Sequence, residues 1–324
     1  MCNALEQITL PRDLEYLGGY AFTYCANLKE VTIPEGVKVL NKRLFDNATS
    51  LTKVQLPSRM DAFEPEAFLG AEALQSVTIP NGIKTIPASC FDGCRALLEV
   101  TIPADVERIE ETAFQDNNLL HTVHFSEGLK TIGLDAFKNC RSLKQLELPN
   151  SLQEIAMGAF QECESIASIK FGSALTHIGE KAFWHCHALQ QLELPSSLEQ
   201  LDYAAFAESM NLERVTIGAA APLWGQNPFL GCLKLKEFVI SDDNTAFATQ
   251  EGVLYSKDFI TLYAYPAGRT ETALRLHDKT QTIEDFAFWF APKLAEVTFP
   301  EHFTILGNTC LLYTSPSPRD RSVS

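Results

Sequence analysis

Two histidines and two acids form the most suggestive chemical pattern in the sequence. His185 and His187 flank Cys186, and Glu162 and Glu208 each stand one 23-residue interval from His185, on opposite sides of it. If the chain repeats at that interval, the carboxylates lie one turn on either side of the imidazole, where they could bind a divalent cation with it or favour its charged form. The alternative is a solvated turn whose histidine lies between two acids. We favour the solvated turn, because a metal site would need more ligands and a closed geometry.

The cysteines suggest redox or metal chemistry, but their spacing indicates packing. Consecutive turns of a strand-based repeat lie about 4.7–4.9 Å apart with parallel side chains, whereas a disulfide needs converging Cβ atoms about 3.8 Å apart. We therefore expect buried free thiols in a column of small residues. No Cys-x-x-Cys pair supports a zinc finger. Seven of the nine cysteines share one repeat position: Cys2, Cys25, Cys94, Cys140, Cys163, Cys186 and Cys232.

Motifs that carry catalysis are missing from the sequence. It contains no Gly-x-Ser-x-Gly nucleophile elbow, no glycine-rich phosphate loop and no His-Glu-x-x-His metalloprotease motif. Paired acids such as Glu110 and Glu111 fall in turn segments that imply no pocket. We therefore predict that the protein is not an enzyme and that it has no cofactor and no metal site. An active site between Tyr255 and Tyr265 is the remaining catalytic hypothesis.

Charge and hydropathy exclude two kinds of partner. The formal net charge is −15 at pH 7, and the lysines and arginines are scattered along the chain. No basic patch would release counterions from phosphates, so we expect no nucleic-acid binding. No stretch approaches the roughly 18 apolar residues of a transmembrane helix. We therefore expect no membrane insertion in this fragment.

The elements that position these residues recur with a 23-residue period. Repeats of this length cannot bury their apolar residues alone, so each turn must pack on its neighbours. Equivalent residues should then lie in columns, with phenylalanine stacked on phenylalanine along the axis. The phenylalanines recur without an insertion or deletion at Phe22, Phe45, Phe68, Phe91, Phe114, Phe137, Phe160, Phe183, Phe206 and Phe229.

Each repeat has a strand half and a turn half. Residues 143–148 read Leu-x-x-Leu-x-Leu, which predicts a strand, and Pro149 ends it because proline cannot donate to a ladder. The apolar pair of residues 152–155 predicts a second, shorter strand. Alanine before the phenylalanine predicts a short helical turn. The glycine, asparagine or aspartate two residues after the phenylalanine predicts a sharp turn at positive φ.

The repeat pattern divides the chain into four parts. Residues 1–240 hold regular repeats, and we expect the N-terminus to be truncated mid-repeat, so that a signal peptide could be missing. Residues 241–282 break the register and predict an irregular β-hairpin module around Ser256, Lys257 and Asp258. The repeat resumes over residues 283–309. Residues 310–320 resemble a translated sequencing-library adapter, so we expect residues 310–324 to be a non-native, disordered tail.

The repeat order Ala-Phe-x-x-Cys-x-x-Leu-x-x-Val-x-Ile-Pro resembles the BspA-type, or Treponema pallidum-type, leucine-rich repeat family over nearly all of residues 2–309. The fold we predict is a β-rich α/β solenoid, a leucine-rich-repeat array of 23-residue turns with short parallel strands and one β-hairpin insert. The resemblance implies that the array is right-handed. It also implies a cell-surface or secreted protein of bacteria or protists that binds host or matrix proteins.

The outward positions of the first strands form the candidate binding surface. This polar, mixed face suits recognition by many modest contacts. We predict a non-catalytic binding or adhesion scaffold that presents this extended face to a protein or glycan partner. The alternative is a structural spacer that presents a lost domain. The residues predicted to contact the partner are Thr101, His124, Glu147, Lys170, Glu193 and Thr216.

Overall fold

The computed structural model describes residues 2–220 and 222–310, in which the repeats stack as a parallel β-solenoid of about 12 turns. Strands are numbered along the chain, and a regular turn contributes a longer first strand and a two-residue second strand. The first strands are β1 (Glu30–Thr32), β3 (Lys53–Gln55), β6 (Glu99–Ile102), β8 (Thr122–Phe125), β10 (Gln145–Glu147), β12 (Ser168–Lys170), β14 (Gln191–Leu194), β16 (Arg214–Ile217) and β18 (Glu237–Ile240). The second strands are β2 (Val39–Leu40), β4 (Ala62–Phe63), β5 (Thr85–Ile86), β7 (Arg108–Ile109), β9 (Thr131–Ile132), β11 (Glu154–Ile155), β13 (His177–Ile178), β15 (Gln200–Leu201) and β17 (Leu223–Trp224).

Both sets of strands pair in parallel, and each residue faces its equivalent in the next turn. Val31 faces Val54 and Leu192 faces Val215, one repeat period further along the chain in each case. The second strands from β5 to β17 form one seven-stranded sheet. The first strands pair as β1 with β3, β6 with β8, β10 with β12, and β14 with β16 and β18. This register places equivalent side chains in columns.

Alternation along each first strand separates the core from the surface. In β6 the side chains of Val100 and Ile102 are buried, whereas those of Glu99 and Thr101 are exposed, as a half-buried strand requires. Behind the strands the phenylalanine rings form the predicted column. From Phe22 to Phe229 their centroids lie 4.9 to 5.6 Å apart in nearly parallel planes. The core is therefore a stack of equivalent residues that runs along the solenoid.

The α/β label predicted from the sequence was wrong, because the described residues contain no helix. Around Phe137 the backbone has positive φ at Asp135 (51°) and Asn139 (61°), and the other regular turns repeat this pair. A helix needs an unbroken run of right-handed residues. Here the N–H groups of all three residues instead donate to carbonyl groups of the following turn at 2.8 to 3.0 Å. The segment is a turn that bonds along the solenoid axis.

The solenoid is interrupted after β18 and then resumes. The interruption contains β19 (Phe247–Gln250), β20 (Val253–Ser256) and β21 (Thr261–Ala264), which pair antiparallel in that order. Parallel pairing returns when β21 pairs with β23, β23 with β25, and β22 with β24. The last four strands are β22 (Ala273–Arg275), β23 (Thr282–Ile283), β24 (Glu296–Thr298) and β25 (Ile305–Leu306).

Tyr265 takes the place of a phenylalanine where the column resumes. Its N–H donates to the carbonyl group of Ala287 at 2.8 Å, the bond that the phenylalanines from Phe22 to Phe206 make to the next turn. Its ring centroid lies 5.4 Å from that of Phe288. The buried residues form one large cluster that extends from Leu17 to Ala264 and a second from Val253 to Cys310. The hairpin strands contribute to both.

Across residues 2–220 and 222–310, no helix has the length and apolar character needed to cross a bilayer. From residue 311 on, the tail predicted to be non-native lies outside the described residues. The division of the chain at residues 240, 282 and 309 stays a prediction.

Candidate binding face

The first strands of the regular turns expose every second side chain, and these side chains form a surface that we call the strand face. Two columns make up this face. One column includes the six residues predicted to contact a partner, and the other, two positions earlier in each strand, runs from Glu30 to Glu237. The residue between the two columns is buried in most turns, so the core fixes the backbone under the face. The face therefore presents its side chains from a rigid support.

All six predicted residues lie in the first column of the strand face. Five of them are exposed, and Thr216 is half-buried. β8 packs beside β10, and β12 beside β14, so the three pairs follow one another along the axis. The pairs are Thr101 with His124, Glu147 with Lys170, and Glu193 with Thr216. Their role in binding stays a prediction.

The charged residues in the middle of this column carry no ion pair with any described residue. Glu147, Lys170 and Glu193 have no opposite charge within 4.0 Å, whereas Arg214 donates through Nε to Glu237 at 2.8 Å in the other column. Beside the face, Lys236 donates to Glu213 at 2.8 Å, and this hydrogen bond holds the pKa of Glu213 below its ordinary value. Unpaired charges can meet complementary charges on an incoming partner.

The predicted cysteine column is unbridged and, apart from the exposed Cys2, buried, and its buried thiols also donate hydrogen bonds. Cys163 Sγ lies 3.1 Å from the carbonyl oxygen of Phe137, in the preceding turn, and other cysteines of the column repeat this contact. In place of cysteine, Asn117 donates from Nδ2 to the carbonyl oxygens of Phe91 and Phe114 at 2.9 and 2.8 Å. Burial raises the pKa of Cys163 well above its ordinary value. These thiols are therefore protonated and structural.

His185 lies between the two acids that the repeat spacing predicts. Its Nε2 is 2.8 Å from Glu208 Oε2, and its Nδ1 is 3.3 Å from Glu162 Oε1. The ring of Trp184 stacks on the imidazole with centroids 3.5 Å apart. No group of three or more histidine, cysteine or acidic side chains in the described part of the chain could hold a metal ion. The geometry is that of a turn whose histidine is hydrogen-bonded to the following turn and lies beside an acid of the preceding turn.

A second histidine occupies the same kind of site, and the sequence analysis missed it. His177 Nε2 lies 2.8 Å from Asp202 Oδ2, and Nδ1 lies 3.7 Å from Glu154 Oε1. Glu154 stands one repeat period before His177 and pairs with it in the sheet, so the repeat spacing could have identified that neighbour. Asp202 stands 25 residues after His177. The 23-residue period does not predict this contact, because the His177 side chain reaches a residue outside its own column.

An aromatic cluster on the turn side of the solenoid was also missed. Ala204, Ala207 and Leu230 form a small buried group, against which Trp184, Tyr203, Phe286 and Trp289 pack while still half-buried. The rings of Tyr203 and Phe286 lie 6.2 Å apart, and Lys181 Nζ lies 5.8 Å from the centre of the Tyr203 ring. These residues come from both sides of the interruption. The 23-residue period could not predict contacts across it.

Comparison with known sequences supports the repeat assignment. The model of a family described as "BspA type Leucine rich repeat region" matches residues 1–121, 107–236 and 260–317, with six copies. These ranges include most of the chain. A search of curated protein sequences gives no match.

Solved structures give the same architecture. A leucine-rich repeat protein from Bacteroides ovatus ATCC 8483 superimposes with a TM-score of 0.63 at 18% identity, and the match covers 93% of this chain and 84% of that protein. A leucine rich cell surface protein from Faecalibacterium prausnitzii A2-165 superimposes with a TM-score of 0.51 at 23% identity, over 86% of this chain and 65% of that protein. At these identities the similarity concerns the fold.

Proposed function

The chain belongs to the BspA type leucine-rich repeat family, and from that premise we propose that it is a non-catalytic scaffold that binds a protein or glycan partner through the strand face. Leucine-rich repeats are typically scaffolds, and this proposal assigns no reaction to the protein. Its role is adhesion, with the long axis of the solenoid laid against the partner. The six residues from Thr101 to Thr216 in the first column form the contact.

One observation carries this proposal, namely the unpaired charges on a face of fixed register. Glu147 faces Lys170 directly, and Glu193 follows in the same column, with no ion pair to any described residue. The backbone under these side chains is held by the packed core, so partner binding has to order the side chains but not the strands. Complementary charges on the partner would then fix its orientation and speed its approach.

The dimensions of the face indicate the strength of binding. Nine steps separate Thr32 from Val239, which at about 4.8 Å each gives a length of roughly 43 Å. With strands about four residues wide, or roughly 13 Å, the face covers about 560 Å². A stable interface of standard size buries about 800 Å² on each partner. We therefore expect modest affinity for a single protein molecule. In adhesion, many copies of the protein that bind together would compensate for this modest affinity.

The test compares two charge-matched triple variants. In the first, Glu147→Ala, Lys170→Ala and Glu193→Ala remove the central charges of the face. In the second, Glu111→Ala, Lys257→Ala and Glu301→Ala remove three exposed charges outside it. Beads coated with each protein are applied to an array of matrix proteins and glycans, and circular dichroism checks that all three proteins are folded.

We expect the first variant to lose at least tenfold of the bead binding that the parent protein shows, while the second variant retains it. Equal retention by the first variant and the parent would remove the strand face from the contact. If the parent itself binds no protein or glycan on the array, the scaffold proposal fails and the spacer alternative gains support.

A further inference from the structure

The seven-stranded sheet of second strands stops at β17, and a crevice opens beside this last strand. The crevice has a volume of about 470 Å³. It is separate from the strand face, because it follows the second strands at the point where the regular turns end. Its lining consists of residues 222–227 together with Ala246, Phe247, Tyr263 and Glu284.

The crevice exists because the interruption removes the next strand of the sheet. In the regular turns each second strand lies between two equivalents, as β15 lies between β13 and β17. β21 would be the next strand in line, but it pairs with β20 on one side and β23 on the other. The edge of β17 is therefore left without a strand among the described residues.

The backbone of Trp224 faces this open edge. The N–H groups of Leu223 and Gly225 donate to the carbonyl groups of Glu199 and Leu201 in the preceding turn, both at 2.7 Å. Backbone groups alternate in direction along a parallel strand, so the N–H and C=O of Trp224 point the other way. Neither group has a partner within the described residues. At the equivalent position of an earlier turn, the carbonyl group of Ile109 accepts the N–H of Gly133 at 2.8 Å.

The side chain of Trp224 adds a third unpaired group. Its Nε1 is buried and has no hydrogen-bond partner in the part of the chain that the structure describes. The indole ring packs against Phe247 and Tyr263, with centroids 5.4 and 6.4 Å away. A buried donor without an acceptor is costly. A strand-like ligand beside β17 would satisfy the two backbone groups and change the surroundings of this indole, whose N–H signal can therefore report binding.

We propose that the crevice binds an extended peptide segment of a partner protein as an added parallel strand. One carbonyl oxygen of the peptide accepts the N–H of Trp224, and the N–H two residues later donates to the C=O of Trp224. A peptide backbone is the ligand that carries an acceptor and a donor at this spacing. The residue between them points inward and must be small, because Phe247 and Tyr263 already fill the space beside the indole. Glu284 at the rim favours a basic residue nearby.

The chain itself supplies a probe of suitable sequence. In the sheet, residues 129–134 lie parallel to the preceding second strand and make the required bonds. The probe is the capped peptide Leu-Lys-Thr-Ala-Gly-Leu, which is this segment with alanine in place of Ile132. The matched control peptide has sarcosine in place of glycine and so lacks the N–H that would donate to Trp224. Binding to the full chain is followed through the indole N–H signals in NMR spectra, and Trp224→Phe assigns the signal of interest.

We expect the probe to shift the Trp224 indole signal in a saturable titration, and the sarcosine peptide to bind at least tenfold more weakly. Ala246→Phe, which fills the crevice, should abolish the shift, whereas Ala167→Phe at an exposed position just before β12 should leave it unchanged. Equal binding of both peptides, or no binding of either, would overturn the proposal. Binding that occurs only after removal of residues 311–324 would assign the crevice to this chain's own segment. The triple variant of the strand face should bind the probe normally, so the two proposals can fail separately.

Discussion

At the scale of single residues, the cysteine column completes the hydrogen bonding of a carbonyl group. The carbonyl oxygen of Phe137 accepts the N–H of Cys140 at 3.2 Å and also lies 3.1 Å from Cys163 Sγ. A thiol suits this position because it is small, apolar enough to bury and still a weak donor. Ser209 occupies the same column, yet its buried hydroxyl has no partner among the described residues. The shorter C–O bond leaves the oxygen out of reach.

We therefore expect serine to be a poor replacement for these cysteines. Cys163→Ser should lower the free energy of unfolding by about 2–3 kcal/mol, because a buried hydroxyl without a partner costs roughly 1–3 kcal/mol in addition to the lost contact. Cys163→Ala should cost less, about 1–2 kcal/mol, since Ala48 and Ala71 already occupy this column. Urea titrations of both variants measure the difference. A serine variant as stable as the wild type would contradict this account of the column.

The pKa of Asp92 is raised, whereas the pKa of exposed acids such as Glu213 is lowered. Burial raises the pKa of Asp92 from its ordinary value of 3.8 to about 6, the Asp116 carboxylate adds to the rise, and Arg95 opposes it. A carboxyl group with a raised pKa contributes stability below pH 4 and loses that contribution as the pH rises through 6. The full rise would correspond to roughly 3 kcal/mol, which solvent screening at this partly exposed site reduces to about 1 kcal/mol.

Asp92→Asn should therefore stabilise the protein by about 1 kcal/mol at pH 7.5 and have almost no effect at pH 4. The amide cannot ionise, so it avoids the unfavourable charge that the folded protein carries at neutral pH. Thermal unfolding at the two pH values measures the change, with Asp61→Asn at an exposed position as the control. An equal effect of Asp92→Asn at both values would show that charge is not its cause.

Contacts within a column could be predicted from the residue spacing, but contacts between columns could not. The period alone placed Glu162, His185 and Glu208 on neighbouring turns, and their contacts follow directly. The sequence did not show that Cys163 donates a hydrogen bond. This bond depends on the direction of the Phe137 carbonyl group, which follows from the positive φ of Asp135 and Asn139. The contact between Asp202 and His177 was also not predictable from the period, because the two residues stand 25 residues apart instead of 23. Contacts within a column are encoded by the period, and contacts between columns require the backbone conformation.

At the scale of elements, the phenylalanine column determines how strongly each turn holds its neighbours. The ring of Phe137 stacks on Phe114 and Phe160 at 5.0 and 5.2 Å and is fully buried. Phe22 stacks on Phe45 alone, at 5.4 Å, and is 5% exposed. A ring with two stacked neighbours leaves a larger unfilled space when it is removed. The two positions therefore provide a matched comparison of the same substitution.

Phe137→Ala should lower the free energy of unfolding by about 3–5 kcal/mol, the usual cost of removing a fully buried phenylalanine. Phe22→Ala should cost about half as much, because half of the stacking contact is absent there. Chemical denaturation followed by circular dichroism compares both variants with the wild type. If the two substitutions cost the same, stacking between turns does not decide the stability of the column.

The strand elements could be predicted, whereas the turn element could not. Alternation over residues 143–148 and the apolar pair that follows match β10 and β11 in the structure. The alanine before phenylalanine suggested a helix, but positive φ at Asp135 and Asn139 prevents one. Tyr265 was missed as a member of the ring column, although it stands one repeat period before Phe288. Its tyrosine side chain departs from the phenylalanine that defines the column.

At the scale of the whole molecule, the interruption separates two cores. The large cluster extends from Leu17 to Ala264, and the second from Val253 to Cys310, with the hairpin strands packed into both. In a solenoid each turn contacts only its immediate neighbours, so the total stability is the sum of the stability of each turn and of the contacts between adjacent turns. The second cluster contains fewer turns, so fewer contacts between neighbouring turns stabilise it. It should open at a lower free energy than the centre of the large cluster.

Phe288→Ala tests whether the two cores unfold separately. Phe288 is 3% exposed, and its ring packs on Tyr265 at 5.4 Å, so its removal should destabilise the second cluster by about 3–5 kcal/mol. Hydrogen exchange measured by mass spectrometry should then show faster exchange over residues 270–306, with residues 85–200 unchanged. Phe137→Ala serves as the reciprocal control, since it should speed exchange in the central turns. If Phe288→Ala accelerates both regions equally, the hairpin couples the cores into one cooperative unit, because the strands that they share transmit the loss of packing.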